Sequence, residues 1–365
     1  MDIRQTRALP PVYIRAAGGV VAAASGMVDA AGLGGPALCA DAKPVALRAQ
    51  VALVAPQVSR MASRFSQLAV LGAADCLRRL EGEFNDELKN APEKELDNAL
   101  DANSRIYLAT GLGDVAHTDA LYFGVMPPRS EMPPPARFAT SGNNMAAFFV
   151  AQRAGLTARN LTLSDAELSF EAALELALSD MAASASRSAL VGGVDETTLP
   201  REFYTRRFHV AAEQMIGEGS GWLLLDVAPE RNGIHARGAI LGARILPAPA
   251  TPDSTGLIDQ VRQFFENVAP DAPTAFPVAV LPGTGITVDD ALVLQHELGS
   301  LLPHGVGHDY LGWSGHFPTA AAVGIAAMFA ANVEQLRETL TCLHVNRDSA
   351  GRTGLIVFKV YPSSR

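Results

Sequence analysis

Apolar and polar positions switch between a period near two and a period near 3.6 along this chain, and the switches mark its elements. Val12 and Ile14 lead into the small-residue run 17–21, which predicts a short strand with a turn that its glycines permit. Over 60–80, Phe65, Leu68, Leu71 and Cys76 stand among small residues at the spacing of a closely packed helix. A strand starting at Arg105 runs into a Gly-rich turn ending at Gly113, and Pro127, Pro128 and the prolines at 133–135 make the next connection irregular. A helical pattern resumes over 143–155. Strands are then predicted over 161–163 and 188–193, on either side of an Ala-rich helix over 168–183 that is apolar enough to be buried.

After a Gly-containing turn at 226–233 the alternation begins again, with a strand over 278–281, helices over 289–297 and 317–332, and a last strand over 354–360. Two α/β halves around buried helices, 1–235 and 236–365, account for this order more economically than two unrelated domains. One stretch breaks the pattern: 81–101 carries eight acidic residues against Lys89 and Lys94, and reads as a solvated connector within the first half.

Composition narrows the function classes. With 365 residues, 48% of them hydrophobic, the chain can bury a large core. Its net charge of -9, without a basic block, argues against a nucleic-acid partner. Cys39, Cys76 and Cys342 show no paired framework and no metal-ligand spacing, as expected in a reducing compartment. The first residues lack a basic start followed by an apolar run, so a cytoplasmic location is expected. The apolar run 320–331 would reach only about 18 Å as a helix, short of the roughly 30 Å hydrocarbon layer, so no membrane span is expected.

The chemistry concentrates at Leu161-Thr-Leu-Ser-Asp-Ala-Glu167, where strand, sharp turn and helix meet with a carboxylate at the junction. An acyl-transfer enzyme would place its nucleophile there, and Glu167 cannot replace a thiolate that must carry an acyl group as a thioester. The same residues fit a capping box, with Ser164 and Glu167 satisfying orphan donors at the helix start. His316, after Gly315 and before a small-residue helix, reads either as a hydrogen-bonded core histidine or as a base. His304, His308 and His316 with Asp309 suggest a metal only weakly, because the Pro and Gly residues around the first pair argue against a regular helix holding them on one face; no metal is expected. Gly217-Glu-Gly-Ser-Gly221 lacks the Lys and Ser/Thr of a phosphate loop and runs into the strand-like Trp222–Leu225 stretch, so no nucleotide or other cofactor is expected.

Several of these segments together resemble the condensing enzymes, the β-ketoacyl synthases and their chain-length-factor relatives. Asn144-Met-Ala-Ala-Phe-Phe-Val-Ala-Gln-Arg-Ala-Gly-Leu is similar to the segment upstream of the nucleophile, and 161–167 to the nucleophile elbow. Val191-Gly-Gly-Val-Asp-Glu196, Gly217-Glu-Gly-Ser-Gly221 and Ser314-Gly-His-Phe-Pro-Thr-Ala-Ala-Ala322 resemble further segments in the family's order. The resemblance implies a thiolase-like fold of two related halves, dimerisation, and a carrier-protein-linked acyl substrate. It also implies that the nucleophilic Cys falls at Glu167, the first catalytic His at Pro282 and the organising Lys at Leu311, with the second His kept as His316. Ser349 and Ala350 stand where the family has an aromatic gate, with Arg347 and Arg352 adding charge around them. The family's dimer interface lies beside the nucleophile strand, which makes Leu161, Leu163 and Phe149 candidate interface or pocket-wall positions.

Claisen condensation needs the thioester-forming nucleophile and donors for the enolate oxygen, and Pro282 and Leu311 supply none. The expected function is that of a noncatalytic, chain-length-factor-like subunit, partnered by an active ketosynthase, an acyl carrier protein and its acyl chain, in polyketide or aryl-polyene synthesis. The alternatives are an independent hydrolase or decarboxylase using Glu167 and His316, and a noncatalytic homodimeric carrier-binding module.

Overall fold

The computed structural model describes residues 10–23, 26–29, 47–81, 100–129, 132, 134–183, 185–231, 234–249, 254–269, 278–301, 306–307, 309–331 and 336–362. Most of the acidic connector predicted at 81–101 lies outside them, as do Cys39, His304 and His308.

The strands of the first half are built from small and apolar residues, with Arg105–Ala109, Ser188–Asp195 and Gly219–Asp226 buried almost continuously on both faces. In chain order the elements are β1 (Val12–Ala23), β2 (Gly26–Asp29), α1 (Arg48–Val54), α2 (Arg64–Glu81), β3 (Arg105–Ala109), α3 (Val115–Val125), α4 (Pro135–Ala139), α5 (Met145–Arg153), β4 (Asn160–Leu163), α6 (Ser169–Ala182), β5 (Ser188–Asp195), α7 (Arg201–Phe208) and β6 (Gly219–Asp226). A two-residue hairpin, β7 (Glu230–Arg231) and β8 (Ile234–His235), leads to β9 (Gly238–Leu246), α8 (Ser254–Val268), β10 (Val278–Pro282), α9 (Val288–Leu301), β11 (Val306–Gly307), α10 (Leu311–Ser314), α11 (Ala320–Ala331), β12 (Leu340–Arg347) and β13 (Thr353–Val360).

Apart from the β7–β8 pair, the strands form one sheet in the order β11-β10-β12-β13-β9-β1-β6-β5-β3-β4, with β2 paired to β1. With β2 and the β7–β8 pair left out and the rest counted by appearance within each half, both blocks read third-second-fourth-fifth-first, so the second half repeats the topology of the first. In each block the second strand runs parallel to the third and fourth, while the fifth is antiparallel to its neighbours. The blocks meet where Val12–Ile14 of β1 pairs antiparallel with Gly238–Ile240 of β9.

Helices α6 and α11 fill the space between the inner faces of the two blocks. Helix α6 packs on β3 and β5 and also on β9 and β13, and α11, although it belongs to the second half, packs on β1, β5 and β6 of the first. Their side chains share one core with Ala109, Val191, Leu223, Ile240 and Phe358 from the strands. Helix α11 is apolar all round, as a helix walled in on every side must be. Its closest approach requires glycine: a Cβ on Gly221 of β6 would come within 2.3 Å of the Ala322 backbone. Outside this layer, α2 and α5 cover the first block and α8 the second, each with its own core.

This central helix starts at Ala320, three residues after the predicted start at 317. The reason is Asp195 at the end of β5. It is fully buried, and its carboxylate accepts from the Thr319 amide and hydroxyl at 3.0 and 2.8 Å and from Thr110, Gly111 and Leu112 after β3. With Thr319 thus held, the segment 317–319 is a turn and the helix begins behind it.

Candidate functional site

The turn between β4 and α6 is tight. Ala166 has a left-handed backbone with φ 48°, and a single 3₁₀ turn over Ala166–Leu168 precedes α6. The capping box expected from Ser164 and Glu167 does not form, since neither the 3₁₀ turn nor α6 has a side-chain cap. Ser169 does the local work instead: its Oγ accepts from the Asp165 amide at 2.8 Å and donates to backbone carbonyls of this turn and of Thr110. The physical reason is the left-handed residue, which turns the chain away from the geometry that a reciprocal box needs.

Glu167 is therefore released from capping and is buried at 3% exposure. Its Oε1 accepts from Arg207 Nη1 of α7 at 3.2 Å, its Oε2 has no partner, and its backbone carbonyl accepts from Asn346 Nδ2 of β12 at 2.8 Å. Arg207 also donates to Ser349 Oγ at 2.9 Å. A second arginine repeats the tie: Arg352 bonds both oxygens of Asp165, at 2.8 and 3.1 Å, and Asp348 at 2.7 Å. Those two carboxylates hold its guanidinium firmly protonated, with the Asp165 hydrogen bond the larger cause. Two guanidiniums thus fasten the turn between β4 and α6 to α7 and to the loop after β12, where Ser349 and Ala350 are exposed.

Beneath Glu167 lies a group that sequence reading missed. Glu171, in the first turn of α6, is wholly buried, and its Oε1 accepts from Asn346 Nδ2 at 3.0 Å and lies 2.9 Å from His344 Nε2. The ring of buried Tyr310 lies 6.2 Å from that of His344, and burial pushes the Tyr310 hydroxyl well above its usual pKa. A carboxylate within the small, apolar sequence of a helix expected to be buried was the available signal.

The other expected positions separate. Pro282 closes β10 opposite Val345, and Leu311 opens α10 as a buried core residue. His316 is buried at 8% exposure; its backbone amide donates to Met215 O at 2.7 Å and its carbonyl accepts from Gly217 at 3.2 Å. Its Nδ1 has no partner, and burial holds the imidazole below its usual pKa, against an opposing pull from Asp309. Among the described residues no hydrogen bond joins His316 to Glu167. Leu161 and Leu163 are half-buried on β4, the end strand of the sheet. Phe149 is in the outer core between α5 and α2, and its neighbour Phe148 is the exposed ring. Among the described residues no group of three His, Cys, Asp or Glu side chains is arranged to hold a metal, and no helix is long and apolar enough to cross a membrane.

No family model and no curated protein matches the chain. Solved structures do. The ishigamide ketosynthase/chain length factor is 18% identical over 96% of this chain and 99% of its own, with a TM-score of 0.71. A β-ketoacyl synthase from Burkholderia phymatum STM815 is 15% identical over 96% and 100%, with a TM-score of 0.68. The type II polyketide complex AntDE:AntF, an acyl-carrier protein with its ketosynthase bound to a hexaketide, gives 13% over 96% and 99%, also at 0.68. At these identities the likeness establishes the fold, a thiolase-like α/β architecture of the ketosynthase and chain-length-factor type.

Proposed function

We propose that this chain is the noncatalytic, chain-length-factor-like member of a ketosynthase pair, acting beside an active ketosynthase on an acyl chain carried by an acyl carrier protein, in polyketide or aryl-polyene assembly. The observation that carries the reading is the ion pair of the buried Glu167 carboxylate with the exposed Arg207 guanidinium at the nucleophile elbow of a scaffold otherwise kept whole. A carboxylate held by a guanidinium forms no thioester, and Pro282 and Leu311 offer no proton donor to a developing enolate.

Pairing is supported by a second feature. Helix α3 is apolar yet has no buried residue, with Phe123 62% exposed, and Phe138 on the adjoining α4 is 69% exposed. Large exposed apolar rings on neighbouring helices fit a surface that another chain covers. An acid–base pair of Glu167 and His316 draws no support, because the carboxylate bonds Arg207 and His316 Nδ1 bonds nothing.

The test is reconstitution. The chain is purified with the ketosynthase that accompanies it in its native extract, and acylated and malonylated carrier proteins are supplied. Product masses are expected only when the ketosynthase is present, with chain length or rate depending on this subunit, and no acyl adduct on this chain by intact mass. Condensation by this chain alone, or identical products with and without it and no complex in solution, would overturn the proposal.

A further inference from the structure

A cavity of about 200 Å³ opens at the surface beside α3, away from Glu167, and is lined by Ser63 and Arg64 of the α2 start, Asp114, residues of α3, Arg137 and Glu196. Two of its carboxylates are nine-tenths buried and incompletely partnered. Glu196 is 2% exposed and neither oxygen makes a hydrogen bond of good geometry, although the Ala116 amide lies close enough to favour the charged form. Asp114 is 2% exposed too; its Oδ2 accepts from Ser63 Oγ at 2.5 Å and its Oδ1 has no partner.

Arg64, also on the lining, donates to both oxygens of Glu218 and pulls on Glu196 through its charge. The lining thus presents unsatisfied acceptors at its base. Above them stand Ala116, Ala120 and Leu121, an apolar wall on the helix whose exposed rings support pairing. An acceptor base under a short hydrocarbon wall matches an alkylammonium group, whose N–H donors would reach Asp114 and Glu196 while its methylenes lie on the wall. A multidentate metal ion fits less well, since the described residues offer no three-ligand group.

We propose that the Asp114–Glu196 cavity binds an alkylammonium group, of the size of a lysine side chain, beside the face where the partner subunit docks. The source is either a lysine of that partner, which rests on the pairing proposed above, or a free small amine. The guanidinium of Arg137, exposed at the lining, is the chain's own competitor for the carboxylates.

The full chain is titrated with n-butylammonium chloride, with n-butanol as the neutral control, at constant ionic strength and pH 8, and followed by calorimetry or ligand-observed NMR. Saturable binding by butylammonium and not by butanol is expected, weakened at least about tenfold by Glu196→Gln. Should that variant fold poorly, Ala120→Leu fills the wall from an exposed position and is expected to give the same loss. Equal behaviour of butylammonium and butanol, or equal affinity in the wild type and Ala120→Leu, overturns the site. In the purified ketosynthase complex, zero-length carbodiimide coupling of Glu196 or Asp114 to a partner lysine, with butylammonium loosening the complex, identifies the lysine source. If butylammonium binds but no ketosynthase complex forms, the site stands as one for free amines and the pairing falls. If the complex forms and butylammonium does not bind, the pairing stands and the site falls.

Discussion

Glu167 and Glu196 are both buried carboxylates, and their surroundings give them opposite roles. Glu167 has a guanidinium at 3.2 Å and is spent as a strut. On the proposed reading, converting it to Cys would supply a thiol but leave Pro282 and Leu311 where condensation needs a proton donor and its organiser, and would remove the carboxylate that Arg207 bonds. Glu167→Cys is accordingly expected to give no sustained condensation of acyl and malonyl carrier substrates, measured by product mass; efficient turnover by that single variant would contradict the reading. Glu196 has no such partner. Burial first, and then the charges of Asp114 and Glu218, push its carboxyl from 4.5 up to about 7, with Arg64 pulling the other way. His117 and Arg137 also face the same cavity. Between about pH 4.5 and 7 the folded state therefore holds a proton that the unfolded chain has lost, so stability falls as pH rises through that window, by about 3 kcal/mol for this group. Glu196→Gln, neutral at every pH, is expected to remove that fall. Urea unfolding of both proteins at pH 5 and pH 8 checks it, and parallel pH profiles would refute it.

At the scale of elements, α3 and α6 invert the usual relation between apolarity and burial. Helix α6 carries Glu171 in the central layer, its Oε1 bonded to His344 and Asn346, while α3 carries Tyr122 and Phe123 to solvent. A helix gains its stability mainly by burying an apolar face, and α3 buries none within this chain. Replacing Phe123 by Asp is thus expected to leave the melting temperature of the isolated chain within about 2 °C, since exposed positions rarely shift stability by more than about 0.5 kcal/mol. It should weaken association with the ketosynthase partner at least about tenfold, read by analytical ultracentrifugation. A variant that loses stability alone and pairs normally would show that α3 packs inward.

At the scale of the molecule, the halves are tied by exchange of their central helices. Because α11 covers the inner faces of β1, β5 and β6, the first half cannot bury its own sheet without the second. A fragment ending at residue 235, the sequence-derived boundary, is expected to lack fixed tertiary packing, seen as lost near-ultraviolet dichroism with dye binding to exposed apolar surface. The intact chain should unfold in one transition. A fragment that folds cooperatively by itself would mean that the halves are independent domains.

The strands β1, β3, β4, β5, β10 and β13, the apolarity of α6 and α11 and the absence of Cys at the β4–α6 turn were legible in the sequence as local properties of composition and period, whereas β9, β12, α7 and α8 were not. The start of α11 was not, since Asp195 that holds Thr319 lies 124 positions earlier. Nor was the capping of α6, which turned on one left-handed residue, Ala166. The partner of Glu167 comes from α7, that of Glu171 from β12, and Glu196 meets Asp114 across more than eighty positions of chain. Periodicity tells which face of an element is buried, whereas the neighbours of a buried charge are set by how distant elements cross. Packing alone decided which carboxylates are satisfied and which are left facing a cavity.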